Sequence, residues 1–133
     1  MRVLPSVVVV DDDEAIRETL RLVLEDVGYP VEDVEDGQAA LALLRKDTAR
    51  MVVLLDLIMR GIHGDVVLRE VLKDERLQRH CYVLMTAAHN RLTSSLMELL
   101  EALEAPVLPK PFDLDVLLKT VETTARRIEQ QPD

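Results

Sequence analysis

Two kinds of hydrophobic pattern alternate along the chain. Short, mostly β-branched runs without helical period cover Val7 to Val10, Val31 to Val34, Met51 to Leu55, Cys81 to Met85 and the pair Val107-Leu108. Between and after them, apolar residues recur every three or four positions, the spacing that lines one face of a helix. The first such stretch carries Ile16, Leu20, Val23, Leu24 and Val27 and stops at Gly28, a residue suited to the left-handed turn that ends helices. The second starts at Asp36-Gly37 and runs to about Lys46. The third follows Gly64 with Val67, Leu68, Val71 and Leu72. The fourth shows Leu92, Leu96, Leu99, Leu100 and Leu103, and the fifth Leu114, Leu117, Leu118, Val121, Ala125 and Ile128. Strict alternation of strand and helix predicts a (βα)₅ chain of the α/β class. Right-handed crossovers then give a doubly wound, five-stranded parallel sheet with helices on both faces.

Length and composition narrow this further. A chain of 133 residues fits a single domain over 1–133, with a core expected from about residue 6 to residue 128. Aromatics are only 2% while hydrophobic residues reach 48%, so the core has to be built from Val, Leu, Ile and Met. The formal net charge of −9 opposes nucleic-acid binding by this domain, which would need clustered Lys and Arg, and suits a cation instead. No apolar run approaches the roughly 18 residues of a membrane span, and the first residues lack a signal peptide's apolar stretch. The single Cys81 lies in an apolar run and reads as a buried thiol. A cytoplasmic protein is expected.

The candidate chemistry lies at the ends of the predicted strands. Asp11, Asp12 and Asp13 follow the first strand directly, and Asp56 follows the third. Open parallel sheets bind ligands beyond the carboxyl ends of their strands where the strand order reverses. For the order 2-1-3-4-5 that crevice lies between the first and third strands. Asp11, Asp12 and Asp56 would meet there as a hard oxygen site suited to Mg²⁺, whereas Asp13 reads as a helix cap. Without a counterion, three crowded carboxylates repel and raise one or more pKa values. Thr86 after the fourth strand and Lys110 after the fifth point to the same mouth. A hydroxyl and an ammonium beside a carboxylate and a divalent cation suit the holding of a phosphoryl group, with Asp56 as nucleophile.

The segments Val9-Val10-Asp11-Asp12-Asp13, Leu54-Leu55-Asp56-Leu57-Ile58-Met59, Leu84-Met85-Thr86-Ala87 and Pro109-Lys110-Pro111-Phe112 together resemble the receiver domains of two-component response regulators, from Val7 to about Ile128. The resemblance implies a flavodoxin-like fold and a phosphorylation-controlled switch. Its phosphoryl comes from a phosphohistidine on a sensor histidine kinase or histidine phosphotransfer protein, and its output goes to a downstream protein. Carried over by position, Asp56 is the phosphoacceptor, with Thr86 and Lys110 holding the phosphoryl. Asp11, Asp12, Asp56 and the backbone carbonyl of Ile58 bind Mg²⁺, with Mn²⁺ as an alternative. A cis peptide is implied between Lys110 and Pro111.

Some features depart from the family pattern. Met59-Arg60-Gly61-Ile62-His63-Gly64 stands where Met-Pro-x-x-Asp-Gly is usual, so the loop loses its proline. Val107 stands three residues before Lys110, where an aromatic switch residue is usual, so output through the fourth helix and fifth strand is expected to be atypical. His63 and His89 read as solvated loop residues, and His80 as a loop residue before the fourth strand. Two rivals are weaker. A degenerate interaction module is disfavoured because all five site residues are present. An aspartate-nucleophile phosphatase would use Asp11 and Asp13 but leaves Asp56 without a role.

Overall fold

The computed structural model describes residues 2–46 and 49–130. Five strands form one parallel sheet: β1 (Val7–Val10), β2 (Val31–Val34), β3 (Val52–Asp56), β4 (Cys81–Thr86) and β5 (Val107–Pro109). Their order is β2-β1-β3-β4-β5, as the alternation predicts. The helices are α1 (Glu14–Asp26), α2 (Gly37–Lys46), α3 (Gly64–Lys73), α4 (Glu75–Gln78), α5 (Ser94–Ala102) and α6 (Leu114–Gln130).

The central strands are apolar up to their carboxyl ends, where β3 closes on Asp56 and β4 on Thr86, because both faces of the sheet are covered. Successive side chains point to opposite faces, so each strand feeds two cores. Val8, Val10, Val53, Leu55 and Leu84 pack under α2, α3 and α5 through Ala40, Leu44, Val67, Leu68, Leu96 and Leu100. Val7, Val9, Val52, Leu54, Val83 and Met85 pack under α1 and α6 through Leu20, Leu24, Leu117 and Val121. Leu20 and Leu24 are fully buried one helical turn apart, and truncating either to Ala would cost about 2–5 kcal/mol. Gly28, with φ +103°, ends α1: its N–H donates to the carbonyl of Glu25 and that of Tyr29 donates to Leu24. Glu104 does the same after α5 at φ +53°, without glycine's freedom.

Two elements differ from the sequence pattern. The fourth helical pattern, read from Leu92, starts later in space: His89–Arg91 make a 3₁₀ turn, and α5 begins at Ser94 with Thr93 as its cap, accepting from Leu96 N–H at 3.2 Å. The four-residue α4 is too short to carry a period. His80 lies in the loop before β4, as read from the sequence, and is buried there. Its Nδ1 accepts from Met51 N–H at 3.0 Å, which leaves Nε2 to donate to the carbonyl of Leu44 at 2.9 Å. The imidazole thus joins the end of α2 to the approach to β3. Cys81 is buried, as expected. No helix among the described residues is long and apolar enough to cross a membrane.

Candidate functional site at the carboxyl edge of the sheet

Parallel pairing brings the ends of β1, β3, β4 and β5 side by side. Asp11 follows Val10, whose register partner is Leu55, so Asp56 lies across from Asp11 on the neighbouring strand. Asp56 pairs in register with Met85, which puts Thr86 one residue further along β4, and Thr86 in turn pairs with Pro109. Lys110 follows, its N–H donating to the Thr86 carbonyl at 3.0 Å. The Lys110-Pro111 peptide is cis. Gly64, at the start of α3, approaches the end of β3 so closely that an added Cβ would collide with the backbone carbonyl of Asp56. Its N–H donates to Leu57 at 2.8 Å, fixing the loop that follows Asp56.

The three carboxylates predicted to converge do so: oxygens of Asp11, Asp12 and Asp56 lie within 4.8 Å of one another. Asp11 and Asp56 are buried and Asp12 is partly exposed. Lys110 Nζ lies 2.6 Å from Asp11 Oδ2 and 3.2 Å from Asp56 Oδ1. Burial and the negative charge of Asp11 push the Asp56 carboxyl up to about 6, against the opposing pull of Lys110. Burial works against the charge on Lys110, but hydrogen bonding and attraction to Asp11 and Asp56 outweigh it and hold its pKa above the ordinary lysine value. Thr86 is buried, its Oγ1 accepting from Ala88 N–H at 2.8 Å, so the hydroxyl proton is available to another acceptor. Asp13 is the α1 cap, accepting from Ala15 and Ile16, as read from the sequence.

Three acids around one partly buried ammonium, with only an exposed guanidinium beside Asp12, retain net negative charge, and their donors are hard oxygens. That chemistry fits Mg²⁺, which binds through one or two carboxylates and keeps several waters. Ile58 lies two residues past Asp56 and is 38% exposed. His89 is exposed, and His63 is half-buried at the start of α3, where its carbonyl accepts from Val66 and Val67.

Two arginines escaped the sequence reading. Arg17 Nη1 donates to the Asp11 carbonyl at 2.7 Å, tying α1 to the end of β1. Arg60 N–H donates to Asp12 Oδ2 at 2.9 Å from the loop after β3. The helical position of Arg17, four residues past the α1 cap, carried no sign of it. The missing proline at Arg60 did free an N–H. Val107 is half-buried and lines an open groove of 720 Å³ with Met97, Leu100, Pro106, Thr124 and Arg127.

Known proteins agree with this architecture. The family described as response regulator receiver domain matches residues 7–122. The response regulator MprA of Mycolicibacterium vanbaalenii is 36% identical over 121 residues, covering 91% of this chain and 50% of that protein. The DNA-binding dual master transcriptional regulator RpaA of Synechocystis is 27% identical, covering 97% of this chain and 52% of that protein. The chain thus spans about half the length of the curated relatives it matches. A CheY-like receiver domain from Methanospirillum hungatei superposes with a TM-score of 0.84 at 28% identity, covering 96% of this chain and 98% of that one. By the family match across its sheet and both layers of helices, the chain belongs to the response-regulator receivers, the signalling switches of two-component systems.

Proposed function

We propose that Asp56 accepts a phosphoryl group from a phosphohistidine of a sensor histidine kinase or histidine phosphotransfer protein, and that the modification changes the affinity of this domain for a downstream protein. The observation that carries this reading is the gathering of Asp56 with the Asp11 and Asp12 carboxylates around one mouth, with the Lys110 ammonium bridging Asp11 at 2.6 Å and Asp56 at 3.2 Å. An Asp56 oxygen attacks the phosphorus in line, the P–O bond forms as the P–N bond breaks, and the electron pair returns to the imidazole, which takes up a proton. Lys110 shifts its charge from the carboxylates to the phosphoryl oxygens, and Thr86 donates its hydroxyl proton to one of them. Asp11, Asp12, Asp56 and the Ile58 carbonyl would hold Mg²⁺, or Mn²⁺ in its place, which supplies neutralisation of phosphoryl charge. Whatever the whole protein does with the signal, a net charge of −9 favours a protein contact over a DNA contact for this domain. The same reading has the chain working in the cytoplasm, where ATP-fed kinase domains lie.

Intact-mass measurement after incubation with acetyl phosphate tests it. One phosphoryl is expected on the wild type with Mg²⁺, and none with Asp56→Asn or in EDTA. Equal labelling of the Asn variant would refute the assignment.

A further inference from the structure

The three carboxylates of the site meet two cations, one from each side. Lys110 approaches from within, its side chain only 14% exposed, and is taken up by Asp11 and Asp56. Asp12 is left to Arg60. The Arg60 N–H donates to Asp12 Oδ2 at 2.9 Å, its Nε lies 3.6 Å from the same oxygen, and its Nη2 lies 3.5 Å from the Asp12 carbonyl oxygen. The Arg60 side chain is 82% exposed and that of Asp12 25%. The guanidinium therefore lies beside Asp12 at the exposed edge of the cluster, and the amide occupies a lone pair of the carboxylate oxygen. The guanidinium contacts depend on this residue type, whereas the N–H is one that any residue but proline would supply.

Resting on the metal reading above, we propose that Arg60 is a positioning residue acting through Asp12, a tethered cation that a divalent ion has to displace to occupy the site. Coordination through Asp12 Oδ2 competes with the Arg60 N–H, and the dication is repelled by a guanidinium a few ångströms away. Because the guanidinium is exposed, its charge is partly screened, so the effect is moderate. The Arg60 contacts to Asp12 are made in the free protein and are given up as the cation binds, while the Ile58 carbonyl of the same loop stays at the site. A chain with this device binds Mg²⁺ more weakly than the bare carboxylate cluster would.

The test is an amide chemical-shift titration of unphosphorylated protein with MgCl₂ at constant ionic strength, comparing wild type, Arg60→Ala, Arg60→Lys and Arg126→Ala. Arg126 pairs with Glu122 on the exposed side of α6, and its loss changes net charge equally. Arg60→Ala is expected to tighten Mg²⁺ binding by about three- to tenfold. Arg60→Lys should stay near wild type, and Arg126→Ala within about twofold of it. Unfolding in EDTA reads any effect on the fold separately. Mg²⁺ affinity in Arg60→Ala no tighter than wild type, or matched by Arg126→Ala, overturns the proposal, whatever the stability in EDTA. Binding seen only in Arg60→Ala supports it. Absence of Mg²⁺ binding in every protein removes the metal reading itself, and the proposal with it.

Discussion

Lys110 Nζ lies 2.6 Å from Asp11 Oδ2, so the ammonium is already engaged by Asp11 while Asp56, at 3.2 Å, receives the longer contact. This division of one charge between two buried acids leaves Asp56 under-neutralised. Its carboxyl accordingly titrates at about 6, pushed up by burial first and by Asp11 second. A group poised in this way has to be ionised to attack phosphorus, and here ionisation carries a cost in stability.

The pH dependence follows from that cost. Asp56 binds its proton more tightly in the folded chain than at the ordinary value of 3.8, so its contribution is absent below about pH 4. The folded state loses ground as pH rises through the interval and bears the full penalty above about pH 6. With Mg²⁺ excluded, Asp56→Asn is expected to be more stable than wild type at pH 7.5 by about 1–3 kcal/mol, with the difference vanishing toward pH 4. Urea denaturation of both proteins between pH 4 and pH 8 measures it. A difference independent of pH would mean that Asp56 does not titrate as its surroundings require.

Mg²⁺ should relieve the same crowding. A ligand bound only by the native state raises the unfolding free energy by mass action, about 2.7 kcal/mol at a hundredfold excess over Kd. Thermal unfolding at constant ionic strength should show the melting temperature rising with Mg²⁺ in wild type, and the rise should be blunted in Asp12→Asn. An Asn variant that responds as strongly as wild type would remove Asp12 from the ligand set.

The sheet was legible because its signals are local and redundant. The β1 and β2 ranges match the sequence reading, and β3 differs by one residue at each end, with Asp56 as its last member. The carboxylate cluster was legible for a related reason: a parallel sheet places strand ends together, so residues far apart in sequence share a mouth once strand order is known. His80 lacked any such signal. Its partners, Met51 and Leu44, lie 29 and 36 positions away, and nothing in Arg79-His80-Cys81 distinguishes a buried connector from a loop residue. The helix α4 has only Asp74, its cap, as a local sign. A buried side chain with two backbone partners makes a definite demand: His80→Ala should destabilise the fold by about 1–3 kcal/mol, because Met51 N–H and the Leu44 carbonyl both lose a partner. Equilibrium unfolding at pH 7.5 tests this, and a loss below about 0.5 kcal/mol would mean that water replaces the imidazole.

The lifetime of the phosphorylated state depends on water reaching the Asp56 acyl phosphate in line with the bond to be broken. Orientation of that water by a side chain is a main lever on such rates. The resemblance to receiver domains implies that the residues two past Asp56 and two past Thr86, here Ile58 and Ala88, border that approach, and neither side chain can hold a water by a hydrogen bond. Ile58 is 38% exposed, which leaves it free to lie over the crevice, while Ala88 spends its backbone N–H on Thr86 Oγ1 at 2.8 Å. His89, the nearest titratable side chain in sequence, is exposed on the 3₁₀ turn. Slow hydrolysis is therefore expected for wild type. Replacing Ile58 with Asn and Ala88 with Glu, singly and together, should accelerate loss of label, each by about three- to thirtyfold, less than the roughly hundredfold or more that a fully positioned acid or base contributes. Decay of phosphorylated protein in Mg²⁺, followed by intact mass, measures this. Should wild type dephosphorylate as fast as the double variant, water positioning at these two sites would not limit the reaction, and the exposed imidazole of His89 would be the next group to replace.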